Sequence, residues 1–517
     1  MAQKRRLFIN SIAQVFSFSV SLGITFFLTP FIVKKLGPAA YGFVGLASSF
    51  VSYTQLVTVA LNSMAGRFIT VSVHKGDIET AKKYFSSVFY SNLIFIVIIS
   101  TISILAIYNL EFIIQIPKQL LTDVKLLFGC MFLNFFINLL FNVYNVCTFI
   151  QNRLDLSSIR IITSQFIKAL LLVGLFYFFT PAVWFIGIAT VISSTYIVIT
   201  NFQFRKILTP QLYVCHRYFD FEKIKELFSA GVWNVVSRIN GILGHGLDLL
   251  IANLFIGTSQ MGIIAITRRI PSIMLTFFEQ MNTIFSPSWT KFYAQGERNT
   301  FHRQLLQSIR FFGILSFIPL SILFVFCDWF YALWLPSQDA RQLYVLTIVA
   351  CIDLPFAMPL QPIYNVYPIV NKIRANSLFG IGLYSATFLV VFVGVLLTKD
   401  TWHQMLILAS TRAIFNMLKS LTFLPLYGGY CAKIKPILLY KNTLKSIFSF
   451  SILSTILFLV KPLFTHISWT TLGLSVTISC AIGCVIGYIL ILDTDDKRIV
   501  KEIGIKVKHK IFKRERK

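Results

Sequence analysis

Apolar runs of about twenty residues, separated by short polar segments, recur from one end of the chain to the other. A run of about 18 or more apolar residues with few charges is long enough to cross a bilayer as a helix. Fourteen such runs can be marked, at residues 9–33, 40–63, 84–108, 124–148, 159–179, 183–204, 227–255, 262–287, 306–328, 342–369, 375–397, 404–427, 445–463 and 469–492. No stretch of about 50 residues, the smallest useful domain, remains between them. The pattern predicts an all-α polytopic membrane protein whose chemistry lies among its spans.

Composition strengthens this reading. The 517 residues are 56% apolar and only 13% charged, with 52 Phe and a mean hydropathy of +0.74, whereas soluble domains carry roughly 25% charged residues. The net charge of +27 would suggest nucleic acid in a soluble protein. Here Lys and Arg gather on alternate inter-span segments and on the tail at 493–517, as they do on cytoplasmic loops. The charge is therefore a topology signal, with both termini in the cytoplasm of a bacterial cell, a multi-pass chain in the cytoplasmic membrane, and no nucleic-acid partner. Lys34 and Lys35, together on the outer side, are the largest exception. The opening Lys4-Arg5-Arg6 precedes a run too long for a signal peptide and reads as an uncleaved first span. The cysteines at 130, 147, 215, 327, 351, 431, 480 and 484 form no C-x-x-C pair or Cys/His cluster, so neither a metal site nor a disulfide scaffold is expected.

Shifting the chain by 220 residues brings Gly37-x4-Gly42 onto Gly257-x4-Gly262, Thr70, Gly76 and Thr80 onto Thr290, Gly296 and Thr300, and Gly174 onto Gly394. Loop and helix positions match in one register. This predicts two six-helix lobes, 1–208 and 209–430, in a pseudo-twofold parallel repeat, followed by two extra helices at 431–492 and the basic tail at 493–517. Paired bundles of this kind hold substrate between them and alternate access by rocking.

The first-loop segment at 30–42, PFIVKKLGPAAYG, is similar to the LG-x-x-x-YG signature of bacterial Wzx-type polysaccharide flippases, part of the larger group that holds the MATE antiporters and the lipid II flippases. The segment at 67–85, with His74-Lys75-Gly76-Asp77, and the second-half segment GTSQMGIIAITRRIP at 257–271 resemble that group too. The resemblance spans the chain in length and span count. It implies a flippase for an undecaprenyl-diphosphate-linked oligosaccharide, with two six-helix lobes around a cationic cavity, and it carries over no catalytic set.

Charges inside spans are costly and mark cavities or partners. In the seventh run, Asn234, Arg238, Gly241, His245 and Asp248 follow spacings of 4, 3, 4 and 3, which would place them on one helical stripe. This stripe is either a cavity lining or a self-satisfied pairing between helices. Arg268, Ser272, Glu279, Asn282 and Ser286 share a face of the eighth run; Arg269 cannot face the same way as its neighbour Arg268. Arg412, Asn416 and Lys419 form a similar face in the twelfth, and Lys168 sits midway along the fifth. Lys125 and Arg310, near span ends where long side chains snorkel, are expected to be structural. Setting Lys168, Arg238, Arg268, Arg269, Arg412 and Lys419 against Asp248, Glu279 and Asp353 leaves the membrane interior net positive. That sign suits an anionic diphosphate, which guanidinium groups recognise well. The polar seams of the first lobe, with Asn10, Gln14, Ser17 and Ser21, then Ser48, Ser52, Gln55 and Asn62, then Asn134, Asn138, Asn142 and Asn145, suit either sugar hydroxyls or helix–helix bonding. Trp184, Trp289, Trp329, Trp334, Trp402 and Trp469 read as interfacial anchors.

No nucleotide loop, H-E-x-x-H or G-x-S-x-G is present. No cofactor, metal or enzymatic activity is therefore expected, and a proton or sodium gradient must drive transport. Asp248, His245, Asp353 and Glu279 are the coupling candidates. Besides the lipid-linked glycan and membrane lipid, a polysaccharide polymerase and chain-length machinery are possible partners. The tail residues Val500, Ile503, Val507 and Ile511 could form an apolar strip on a basic helix. A MATE-like drug or cation antiporter and a lipid II flippase are the competing readings.

Overall fold

The structure, a computed structural model, describes residues 2–498 and 501, apart from 152, 284 and 465. The tail strip from Val500 to Ile511 lies outside the described residues. Among those described there is no strand; the principal helices are α1 (Ala2–Thr54), α2 (Leu56–His74), α3 (Ile78–Tyr108), α4 (Leu121–Phe141), α5 (Leu154–Phe178), α6 (Trp184–Leu208), α7 (Phe221–Gly241), α8 (Thr258–Thr267), α9 (Arg269–Thr283), α10 (Arg298–Trp334), α11 (Ala340–Ala350), α12 (Ile373–Leu397), α13 (Thr401–Leu421), α14 (Pro436–Val460) and α15 (Trp469–Leu490).

Thirteen helices among the described residues are long and apolar enough to cross a membrane. The fourteenth expected span, α13, falls short of that standard because His403, Gln404, Arg412, Asn416 and Lys419 interrupt its apolar run. Large side chains left uncovered by protein, such as Phe27, Leu170 and Phe458, are each more than two-thirds exposed. Exposed apolar surface on this scale belongs against lipid.

The helices pack into two compact units, one formed by Met1–Ile266 with Ser377–Met405 and the other by Thr267–Asn376 with Leu406–Lys517. In the first unit α4 lies along α6, α2 along α7 and α1 along α5. Leu61, Ile69, Phe85, Val88, Tyr144, Cys147 and Leu227 belong to one of its buried clusters. In the second, α10 packs along α14 and α15 around Phe317, Phe326, Leu453 and Leu457.

Backbone conformation echoes the internal repeat. The glycines with positive φ are Gly37 (+82°), Gly76 (+80°), Gly257 (+145°) and Gly296 (+74°), two pairs separated by 220 residues. Each turns the chain where a Cβ would be strained. Gly37 breaks α1 into two legs, so the first two expected spans meet there, and the second leg runs on through Thr54 into α2.

Arg310 has the structural role expected of it, but by a different means. It does not snorkel: it is buried, and its Nε and Nη1 bond Asp496 at 2.5 Å and Asp493 at 3.0 Å, while Lys445 reaches Asp493 at 3.0 Å. This ionic latch fixes the segment after α15 to α10 and α14. Three of the tryptophans are corrected too. Trp289, Trp329 and Trp334 are buried, Trp289 stacking on Phe285 with centroids 5.7 Å apart, so packing and not an interface holds them.

Candidate functional site

In the first unit, α7 carries Asn234 and Arg238 toward polar groups of α2 and its approach. Asn234 Nδ2 donates to Ser63 Oγ at 3.0 Å, and Arg238 Nη2 donates to Gln55 Oε1 at 2.9 Å. Asn234 is half-buried and Arg238 is exposed. The regular stripe expected of this span does not continue. Residues Ile242–Gly246 form a π-helical turn, and a second one spans Ala252–Ile256. A π turn inserts extra residues into the helical register and rotates everything after it; the run GILGHG supplies the pliant backbone. Asp248 is consequently buried whereas Arg238 is not. His245 lies in the first π turn, with its side chain outside those described. The Tyr53 hydroxyl donates to the Gly246 carbonyl, tying that turn to the second leg of α1. Lys168 is half-buried on α5.

The asparagine seams bond one another. Asn62 Nδ2 donates to Asn92 Oδ1 at 2.9 Å, and Asn92 returns a bond to Asn62 Oδ1 at 3.0 Å and another to the Leu139 carbonyl at 2.9 Å. Asn142 Nδ2 reaches Asn62 Oδ1 at 3.2 Å, and Asn201 Nδ2 reaches Asn145 Oδ1 at 2.7 Å. These amides fasten α2, α3, the end of α4 and α6 together, which decides Asn62, Asn142 and Asn145 in favour of helix–helix bonding. Asn134 and Asn138 bond each other along α4. The reading of the sequence passed over Asn92, a lone amide in its run, Asn201 near the end of its run, and Arg160, buried on α5 and bonded to Ser157 Oγ at 3.0 Å. A span drawn from residue 159 put Arg160 at a helix end, where a cation attracts no notice.

In the second unit the structure gathers residues from three spans. Asp353 lies at the break after α11, accepts a hydrogen bond from Asn416 and faces the charge of Arg412. Asp353, Arg412 and Lys419 are all buried. The Lys419 ammonium sits 5.3 Å from the centroid of the Tyr364 ring, and both Asp353 and Glu279 act electrostatically on the Tyr364 hydroxyl. Tyr364 was missed because a tyrosine in an apolar run looks like packing. Glu279 itself is exposed on α9. Arg268 falls at the break between α8 and α9, and it and Arg269 are half-buried. Asn282 has a structural role, donating to the Gln361 carbonyl at 2.9 Å while Asn365 donates to its Oδ1 at 2.9 Å.

The second-unit cluster thus buries two cations, Arg412 and Lys419, seven residues apart on α13, with the Tyr364 ring and the buried Asp353 carboxylate beside them. Among the described residues no group of His, Cys, Asp and Glu could hold a metal ion.

Comparison with known proteins agrees with this architecture. A family model described as polysaccharide biosynthesis protein matches residues 31–338. The uncharacterized membrane protein EpsK of Bacillus subtilis (strain 168) is 27% identical over 504 residues, covering 95% of this chain and 97% of its own. Among solved structures, the lipid II flippase MurJ in an inward closed conformation aligns with a TM-score of 0.66 at 15% identity, over 93% of this chain and 99% of its own. An inward-facing multidrug resistance MATE transporter of the MOP superfamily aligns with a TM-score of 0.64 at 15% identity, over 82% and 98%. The fold is that of the transporters and flippases of this superfamily.

Proposed function

The chain belongs to the polysaccharide biosynthesis protein family, and we propose that it is a MOP-type flippase moving an undecaprenyl-diphosphate-linked oligosaccharide across the bacterial cytoplasmic membrane for surface polysaccharide such as O-antigen or capsule. The observation that carries this reading is the burial of two cations, Arg412 and Lys419, on one helix of the second unit, with the Tyr364 ring and the Asp353 carboxylate beside them. A site for organic cations would be expected to bury carboxylates in place of arginine and lysine, since charges placed inside spans mark the sign of what they meet.

In this mechanism both termini are cytoplasmic, 258–260 faces outward, and the lobes at 1–208 and 209–430 alternate access. The groups assigned to the diphosphate and first sugars are Arg412, Lys419 and one of Arg268 and Arg269 in the second unit and, taken separately, Arg238, Asn234 and Lys168 in the first, while the prenyl chain stays in lipid. Protonation or sodium binding at Asp353, Glu279, Asp248 or His245 biases the two states through differential affinity. The flipped glycan passes to a polymerase and its chain-length machinery.

The test is a deletion strain complemented with Lys419→Glu or the native chain. A flippase variant leaves lipid-linked oligosaccharide in the cytoplasmic leaflet and lacks surface glycan at normal protein level. Normal glycan with altered sensitivity to cationic dyes would replace this reading with a drug antiporter.

A further inference from the structure

The two glycine motifs that the sequence sets 220 residues apart touch each other in the first unit. A Cβ built on Gly42 would lie 2.9 Å from the Gly262 Cα, and one built on Gly262 would lie 2.0 Å from the Pro38 carbonyl oxygen. One turn further, a Cβ on Gly45 would stand 3.7 Å from the Ala265 Cβ. Gly42 and Gly262 occupy the same place in the repeat, so this is one motif packed against its own counterpart. Main chain meets main chain here, an approach that only glycine permits.

Each contacting segment also begins at a glycine of positive φ, Gly37 before the second leg of α1 and Gly257 before α8. The chain changes direction at both points, so neither segment simply continues the preceding helix. At the glycines the contact is a short strip of van der Waals packing, each atom pair of which is weak, while further along the same leg Tyr53 is bonded to the Gly246 carbonyl.

We propose that the Gly42–Gly262 contact is the outer closure of the transport path, formed in one access state and parted in the other. This role rests on the flippase reading and its orientation. The paired motif would then be kept small because the closed state needs main-chain contact. Any side chain at Gly262 must part the segments and so favours the outward-open state, since a change that excludes one state shifts the population toward the other.

Two measurements test it. In Gly45→Cys/Ala265→Cys the Cβ spacing suits a disulfide, whose Cβ atoms usually stand 3.5–4.5 Å apart, and Leu249 Cδ1, 2.8 Å from the Gly45 position, is the flexible end of a side chain. Oxidation of the membrane-embedded double variant should form an intramolecular bond absent from either single variant. It should also lower flipping in proteoliposomes at least tenfold, with recovery on reduction. The second measurement needs no substrate. An impermeant maleimide applied from outside should label Ser49→Cys several-fold faster when Gly262→Leu or the milder Gly262→Ala is present, against a control lacking the Ser49→Cys change. Failure of the bond to form, a bond that leaves transport unchanged, or labelling indifferent to Gly262 overturns the closure. Labelling that responds as expected in a protein inactive on lipid-linked glycan retains the closure and rejects the substrate.

Discussion

Arg238 on α7 donates to the amide oxygen of Gln55 at 2.9 Å, joining two polar faces that lie 183 residues apart in the chain. The guanidinium has an amide and not a carboxylate at this position. Its charge is therefore not cancelled there, and the remaining donors can serve an anion.

Arg238→Glu should abolish surface polysaccharide at normal protein level, a loss of at least tenfold in glycan per cell. Gln55→Ala, which removes only the positioning acceptor, should lower the rate by a smaller factor. Equal glycan yield from Arg238→Glu and the native chain would remove Arg238 from the substrate path.

The Asp353–Arg412 relationship predicts a split between stability and transport. Asp353→Asn leaves Arg412 without its buried carboxylate, and loss of one partner of a buried pair costs about 3–5 kcal/mol. Thermal unfolding of the purified protein should report that loss. Asp353→Asn/Arg412→Gln should recover most of the stability yet remain inactive, because the anion-binding charge is gone. A double variant that flips substrate normally would contradict the assignment of Arg412.

The latch at Arg310 predicts a sharp acid limit for the segment after α15. Burial alone would raise the Asp493 carboxyl, but the hydrogen bond from Lys445 and the charges of Arg310, Lys445 and Lys441 outweigh it and hold the group below its ordinary value of 3.8. A carboxylate lowered on folding stabilises the fold above its unfolded pKa, and the stabilisation is lost as pH falls through the folded value. Hydrogen exchange of residues 491–498 should thus be unchanged from neutral pH to about pH 5 and accelerate only below about pH 4. Release near neutral pH would show that Asp493 is not held in this way. Asp496→Asn, by removing the buried partner of Arg310, should destabilise by about 3 kcal/mol.

The amide chain through Asn62 and Asn92 should matter for assembly more than for transport. Asn92→Leu breaks three hydrogen bonds, each worth about 0.6 kcal/mol and at most about 1.7 in a membrane protein. A loss of about 2 kcal/mol in unfolding free energy is expected, with little change in the flipping rate per folded molecule.

Apolar periodicity made the all-helical membrane architecture and the helix order readable, because lipid demands long, internally bonded segments, although α13 falls short of the apolar standard. The turns at Gly37, Gly76, Gly257 and Gly296 were readable as repeated glycines. The faces of the helices were less so. Spacing placed His245 and Asp248 on the stripe of Arg238 only on the assumption of 3.6 residues per turn, which the π turn at Ile242–Gly246 breaks. Likewise Trp289, polar-tipped and near a span end, looks interfacial until tertiary packing buries it among aromatic rings. Partner choice across the fold, such as Arg310 with Asp493 and Asp496, depends on contacts between segments nearly two hundred residues apart, which no local pattern encodes.

The polarity of α13 shapes how the chain is made. Each arginine or lysine at the centre of a nascent helix opposes entry into lipid by about 2.5–3.5 kcal/mol, and α13 carries both Arg412 and Lys419. Emerging from the ribosome alone, it is a poor candidate for release from the translocon into the bilayer. The carboxylate of Asp353 and the ring of Tyr364 that receive its cations are synthesised some fifty residues earlier. Insertion of α13 therefore has to wait for a docking place already built in the membrane, and biogenesis of this segment is templated by the helices made before it.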